Sequence, residues 1–295
     1  MKNNKGIYGI ALFCVIIWGT TFVSTKVLIN NGLTPSEIFF VRFALGYTGL
    51  LCIAPPKFSK KVNWKDEFLF FITGLTGGSL YFLAENTALE LTQTSNVSVL
   101  VATTPIWTAL VMRLTDKVKI KKNLIIGSCL GLAGVALVAF NGNAVLKISP
   151  VGDCLSLLAA FLWALYGIVL KKLDNRYSTF IITRKVFFYG LLTILPVFLL
   201  ELGRPQGSPI QMLSFNFEVI FNLLFLGIAA SLLCYLLWNK VIEKLGAQKS
   251  TSFIYIVTLT SLVTAAIVLH ETITPIAMLG ALFILLGVYL SEKNW

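Results

Sequence analysis

The chain has 295 residues, 57% of them hydrophobic and 13% charged, with a formal net charge of +11. A soluble domain carries about 25% charged residues, and the apolar segments leave no room for one. The basic excess raises nucleic acid as a partner, but its confinement to alternate short connections marks membrane topology instead, and no nucleic-acid binding is expected.

Ten apolar segments are predicted to cross a bilayer: 7–28, 35–54, 67–89, 95–114, 122–140, 151–171, 178–200, 217–238, 248–269 and 275–291. A hydrocarbon core of about 30 Å needs roughly 20 apolar residues. The first segment follows Lys2 and Lys5, as a signal peptide would. It is too long for an apolar signal region and lacks an Ala-x-Ala-like cleavage site, so it is read as an uncleaved helix. Lys57, Lys60, Lys61 and Lys65 follow the second segment; Arg113, Lys117, Lys119, Lys121 and Lys122 surround the end of the fourth. Lys171, Lys172 and Arg176 follow the sixth, and Lys240, Lys244 and Lys249 the eighth. The alternate connections hold Lys147 and Arg204, with Lys26 ending the first segment. Lys/Arg-rich loops stay in the cytoplasm, so both termini, the second marked by Lys293, are expected there. The protein is expected to be multi-pass in the cell (plasma or inner) membrane, as a monomer or homodimer.

The chain reads as two copies of one pattern. Trp18 and Lys26 match Trp163 and Lys171 at an offset of 145; Arg42 and Tyr47 match Arg184 and Tyr189 at 142. Tyr81 and Thr104 match Tyr235 and Thr258 at 154, and Gly127 and Gly134 match Gly280 and Gly287 at 153. Drifting offsets fit diverged copies with loop insertions. Five segments per copy is an odd number, so the second copy enters the membrane from the opposite side, an arrangement common in transporters. The expected fold is an all-α integral membrane protein of ten transmembrane helices, in inverted five-helix repeats at 1–145 and 146–295.

The stretch from His270 to Pro275, with Gly280-Ala281-Leu282 and Leu286-Gly287-Val288, resembles the end of an EamA-type repeat of the drug/metabolite transporter superfamily. Gly127 through Gly134-Val135, Trp18-Gly19 and Arg42 are similar to the same family. The resemblance spans the chain and implies ten helices, a solute site at the repeat interface, and alternating access by rocking helix bundles. Two features depart from the pattern. Thr258-Leu259 stands where a Glu-Pro pair is usual, and Glu85 is not typical.

Gly74, Gly78, Tyr81 and Glu85 share one helical face of the third segment. A carboxylate in a membrane segment costs about 2.5–3.5 kcal/mol on insertion scales unless it finds water or a partner. Glu85 is therefore a candidate for a substrate amine or a coupling proton, with snorkelling to the outer face as the alternative. The eighth segment carries Tyr235 and Asn239 at the matching positions. Trp18, Trp163 and Tyr166 are candidate aromatic cavity walls or packing residues. Thr104, Pro105 and Trp107, and on another helix Tyr255 and Thr258, suit either a wet cavity or interhelical hydrogen bonds worth about 0.6 kcal/mol each. Arg42 and Arg184 are candidate anion contacts; Lys26 and Lys171 read as snorkelling residues. The glycines of the fifth and tenth segments read as close-packing faces, within one chain or between two.

The five cysteines are scattered and show no Cys-x-x-Cys spacing, so neither disulfide nor metal site is expected. No cofactor is expected either. Asn96-Val97-Ser98 matches a glycosylation sequon but opens a membrane segment. His270 beside Glu271 reads as a helix-end residue, and no nucleophile accompanies it. No Gly-x-x-x-x-Gly-Lys-[Ser/Thr] loop occurs, which excludes a P-loop ATPase. The expected function is a secondary transporter exporting amino acids or other small metabolites, with a small-molecule solute, the bilayer and a proton as partners. An exchanger of phosphorylated or nucleotide-linked solutes is the alternative; a membrane-embedded enzyme is disfavoured.

Overall fold

A computed structural model of the chain describes residues 5–55, 62–92, 94–117, 122–140, 149–173, 176–202, 216–268 and 274–292. Among these residues the only regular structure is helical. The helices are α1 (Lys5–Asn30), α2 (Pro35–Ile53), α3 (Trp64–Gly74), α4 (Leu80–Leu91), α5 (Thr94–Val101), α6 (Thr104–Thr115) and α7 (Lys122–Phe140). After them come α8 (Pro150–Leu173), α9 (Thr179–Leu202), α10 (Phe217–Leu224), α11 (Cys234–Leu245), α12 (Ala247–Ser252), α13 (Ile254–Val268) and α14 (Pro275–Glu292). Among the described residues seven stretches are long and apolar enough to cross a membrane, including Trp64–Leu91 and Phe217–Leu245; Lys122–Val138 and Pro275–Ser291 are apolar but shorter. Lys57, Lys60, Lys61, Lys119, Lys121, Lys147, Arg204, His270, Glu271 and the extreme termini lie outside the described residues, as does the Asn96 side chain.

Local chemistry sets the helix ends. Thr34 and Glu37 form a capping box at the start of α2, where Pro35 occupies the first turn; this satisfies amides that have no intrahelical partner. Pro105 lacks an N–H and opens α6 after a two-residue break from α5. Gly246, at φ +84°, ends α11 in a conformation that side chains resist.

The third and eighth apolar segments each contain a wide helical turn at matching positions. Leu75–Ser79 joins α3 to α4, with Gly78 at φ −128° and ψ −109°; Phe225–Leu233 joins α10 to α11. Close approach explains the glycines of the first turn. A Cβ on Gly77 would lie 2.2 Å from the Tyr166 ring, and one on Gly74 would lie 2.4 Å from Tyr189 Cβ.

Positions related by the sequence offsets also meet reciprocally. A Cβ on Gly134 would lie 2.5 Å from Gly280 O, and one on Gly287 would lie 2.6 Å from Gly127 O. The glycine faces of α7 and α14 thus pack against each other within one chain. Lys26 Nζ donates to Leu89 O at 2.6 Å, and Lys171 Nζ donates to Glu243 O at 2.9 Å. Each ammonium meets carbonyls that a helix end leaves unpaired, a more specific role than snorkelling.

Buried aromatic rings from α1, α2, α4, α8, α9 and α11 form the core beside the candidate site. Phe43 packs against Phe82, Phe187 and Tyr235, and Phe39 against Phe43 and Phe82.

Candidate solute cavity

A cavity lies among α1, α2, α4, α5, α8, α11 and α13. Its lining is Trp18, Thr21, Phe22, Arg42, Tyr81, Phe82, Glu85, Val101, Trp163, Tyr235, Ile254 and Val257. Its volume is about 40 Å³. That is room for ordered water rather than for a metabolite.

The walls are aromatic. Trp18 meets Trp163 edge to face at 5.3 Å between ring centroids, and Trp163 lies 4.9 Å from Tyr81. The Trp18 indole N–H donates to Ala230 O at 3.0 Å, so its polar edge is occupied and its faces remain apolar surface. Tyr235 donates its hydroxyl to Gly77 O, in the wide turn of the other long segment. The irregular turn releases backbone acceptors, and a buried phenol takes one of them.

Two ionisable groups face this space. Arg42 is 2% exposed; its Nε donates to Ser231 Oγ at 2.6 Å, and its guanidinium carbon sits 4.2 Å from the Phe82 ring centroid. Glu85 is also buried and accepts the Tyr81 hydroxyl on Oε1 at 2.6 Å. Glu85 and Tyr81 are four residues apart on α4, the spacing that stacks side chains on one helical face. Both line the same cavity, yet among the described residues no ion pair within 4.0 Å joins Arg42 and Glu85.

Behind the cavity, Tyr166 donates to Asn239 Oδ1 at 2.5 Å, and Asn239 Nδ2 donates to Thr183 Oγ1 at 2.9 Å. This bridge joins α8, α11 and α9. Asn239 matches Glu85 in the sequence alignment, and both accept a tyrosine hydroxyl. For Glu85 the tyrosine is on its own helix; for Asn239 it comes from another.

Of the residues singled out by sequence, Trp18, Arg42, Tyr81, Glu85, Trp163 and Tyr235 converge on the cavity, with Tyr166 and Asn239 directly behind it. The others lie elsewhere. Thr104 donates to Val101 O at 2.7 Å, across the break between α5 and α6. Trp107 donates to Thr103 Oγ1 at 3.2 Å and packs on Phe161. The Tyr255 ring lies on α7, where a Cβ on Gly131 would be 3.0 Å away. Thr258 is buried without lining the cavity, and Arg184 is half-buried on α9 away from it. Thr21, Phe22, Phe82, Val101, Ile254 and Val257 complete the lining and were not singled out by sequence. Thr21 and Phe22 lie three and four residues after Trp18, on its helical face, which is the one signal that pointed to them.

The metal-free expectation rested on cysteine spacing; among the described residues no group of three or more His, Cys, Asp or Glu converges.

Comparison with known proteins agrees with this architecture. A solved crystal structure superposes with a TM-score of 0.76 at 16% identity, covering 98% of this chain and 97% of that one, a likeness of fold alone. An "Uncharacterized transporter" of Archaeoglobus fulgidus is 26% identical over 99% of both chains. The "Probable amino-acid metabolite efflux pump" of Escherichia coli is 24% identical over 99% of this chain and 95% of its own. The "Probable terminal-alkyne amino-acid exporter" of Streptantibioticus cattleyicolor is 22% identical over 100% of this chain and 95% of its own. The profile of the EamA-like transporter family matches twice, at residues 5–140 and 150–292. With both matches together spanning nearly its whole length, the chain belongs to the EamA-like transporter family of membrane transporters, within the drug/metabolite transporter superfamily.

Proposed function

We propose that this chain is a secondary active transporter that exports amino acids or similarly small metabolites across the cell (plasma) membrane by alternating access. In this reading ten helices form two inverted halves, 1–145 and 146–295, with both termini cytoplasmic. The observation that carries it is the cavity itself. It is enclosed by helices of both halves, walled by Trp18 and Trp163, and holds two opposite charges without an ion pair between them. The names of the Escherichia coli and Streptantibioticus relatives support amino acids as the solute class.

With that topology, Tyr166, Asn239 and Thr183 lie on the cytoplasmic side of the cavity, and Glu85 lies on the outer side. The Tyr166–Asn239–Thr183 bridge then closes the inner entrance. A cytoplasmic solute enters when these bonds part, and leaves outward past Thr21, Glu85 and Val101. Glu85 is the coupling group: a proton and a solute ammonium compete for its carboxylate, so each leaves as the other arrives. Tyr81, Arg42 and Tyr235 are the titratable groups around it. The phosphate-ester exchanger would need several cations around the solute, and among the described residues Arg42 is the one cation on the cavity lining.

The test is efflux and counterflow in proteoliposomes against a panel of amino acids and small metabolites, with and without a pH gradient. Saturable, gradient-dependent movement of an amino acid is expected. Absence of movement for every solute under every gradient would overturn the reading.

A further inference from the structure

A charge inside a membrane segment needs a partner, because leaving it unpaired is costly. Arg42 is incompletely partnered. Among the described residues its one hydrogen bond runs from Nε to Ser231 Oγ, at 2.6 Å. A guanidinium has five N–H donors in a fixed fork, so both terminal nitrogens remain without a protein acceptor among the described residues. The Phe82 ring covers one face of the group at 4.2 Å, which holds the plane but supplies no acceptor. Glu85 is also incompletely partnered. Among the described residues its carboxylate accepts one hydrogen bond, from Tyr81 at 2.6 Å, and an ionised carboxylate offers about four acceptor sites. Both groups are more than nine-tenths buried, and both line the same cavity.

A site with one positive and one negative group, held apart, is balanced against an ion of either sign. A cationic solute would leave Arg42 unanswered, and an anionic solute would leave Glu85 unanswered. A zwitterion answers both. We propose that the cavity selects solutes by paired charge. The solute carboxylate lies bidentate on the two terminal nitrogens of Arg42, its ammonium lies on Glu85, and its apolar side chain lies between Trp18, Trp163 and Phe22. Ser231 acts as a positioning residue: it takes the inner N–H and leaves the fork for the solute. Arginine suits this role because its planar fork matches a carboxylate, which a lysine ammonium does not. The inference rests on the transporter reading but is separable from it, because binding can be measured without transport.

The test uses the full-length protein, purified in detergent, with ligand-induced thermal stabilisation as the binding readout. The proteinogenic amino acids are screened first, and the best binder is compared with its decarboxylated amine and its deaminated acid. For phenylalanine these are 2-phenylethylamine and 3-phenylpropionate. The zwitterion is expected to bind at least roughly tenfold more tightly than either, the scale of one lost charge-assisted hydrogen bond. In Glu85→Gln the advantage over the acid shrinks while that over the amine persists. In Arg42→Gln the pattern reverses. Arg42→Lys and Ser231→Ala, each checked for monodispersity by size exclusion, serve if Arg42→Gln does not fold, and both reduce the advantage over the amine. Equal binding of zwitterion, amine and acid overturns the proposal, as does failure of every amino acid to bind. Charge-selective binding without transport in proteoliposomes would instead overturn the transporter reading and leave the site intact.

Discussion

Trp18 and Trp163 stand 145 residues apart in sequence and touch edge to face at 5.3 Å. Each occupies the same place in its copy of the sequence pattern, so the contact joins like to like. The pair forms a shared wall, and each ring is held by further aromatic neighbours: Trp238 at 4.9 Å from Trp18, and Tyr81 at 4.9 Å from Trp163.

The two indoles are expected to be energetically coupled. Trp18→Leu, Trp163→Leu and the double variant form a double-mutant cycle. Aromatic pairs contribute about 0.5–1.5 kcal/mol beyond area burial. The sum of the single losses in thermal stability should therefore exceed the loss in the double variant by that amount. Strict additivity would show that the contact is incidental.

Tyr166→Phe removes the hydroxyl that Asn239 accepts. A buried hydrogen bond contributes about 1 kcal/mol, so a cytoplasm-open state should become roughly fivefold more populated. Hydrogen exchange along α8 and α11 measures this directly. Faster exchange near Tyr166 and Asn239, with the ends of α1 unchanged, is the expected pattern.

Glu85→Gln keeps the shape of the side chain and its contact with Tyr81 but removes the titrating group. Efflux by the variant should lose its dependence on an imposed pH gradient while solute-driven counterflow survives. A pH profile identical to that of the parent protein would remove Glu85 from coupling.

Gly134→Ala and Gly280→Ala place a methyl group 2.5 and 2.6 Å from the opposing carbonyl oxygen, with no flexible side chain to yield. Overpacking of this kind costs about 1–3 kcal/mol, so both variants should unfold at lower temperature. Gly9→Ala is the control. Nothing lies within 4 Å of its added carbon, and alanine is the better helix former. Its melting temperature should match or exceed that of the parent.

The helices were legible because long apolar runs have few alternatives in a bilayer. Arg42 and Glu85 were legible for the same reason turned round, since an ionisable group in such a run needs explaining. Tyr81 came with Glu85 through the four-residue helical spacing. Helical periodicity identifies a face but not the neighbour that face meets. Tyr255 and Thr258 were therefore grouped on one plausible wet face, whereas Tyr255 packs against Gly131 of α7. The Tyr166–Asn239–Thr183 bridge joins three helices and leaves no trace in local spacing. The wide turn at Phe225–Leu233 contains no proline and a single glycine, so composition did not distinguish it from ordinary helix. Phe22, Val101 and Ile254 are ordinary membrane residues by type, and only packing brings them to the cavity.

The reciprocal contacts of Gly127 with Gly287 and of Gly134 with Gly280 bear on self-association. These glycines are already spent on a seam inside one molecule. A second copy approaching α7 or α14 meets bulky exposed side chains such as Ile125, Leu282 and Tyr289, not a smooth small-residue groove. A homodimer would not be held by these glycines, and changes to them should loosen the protomer rather than split a pair.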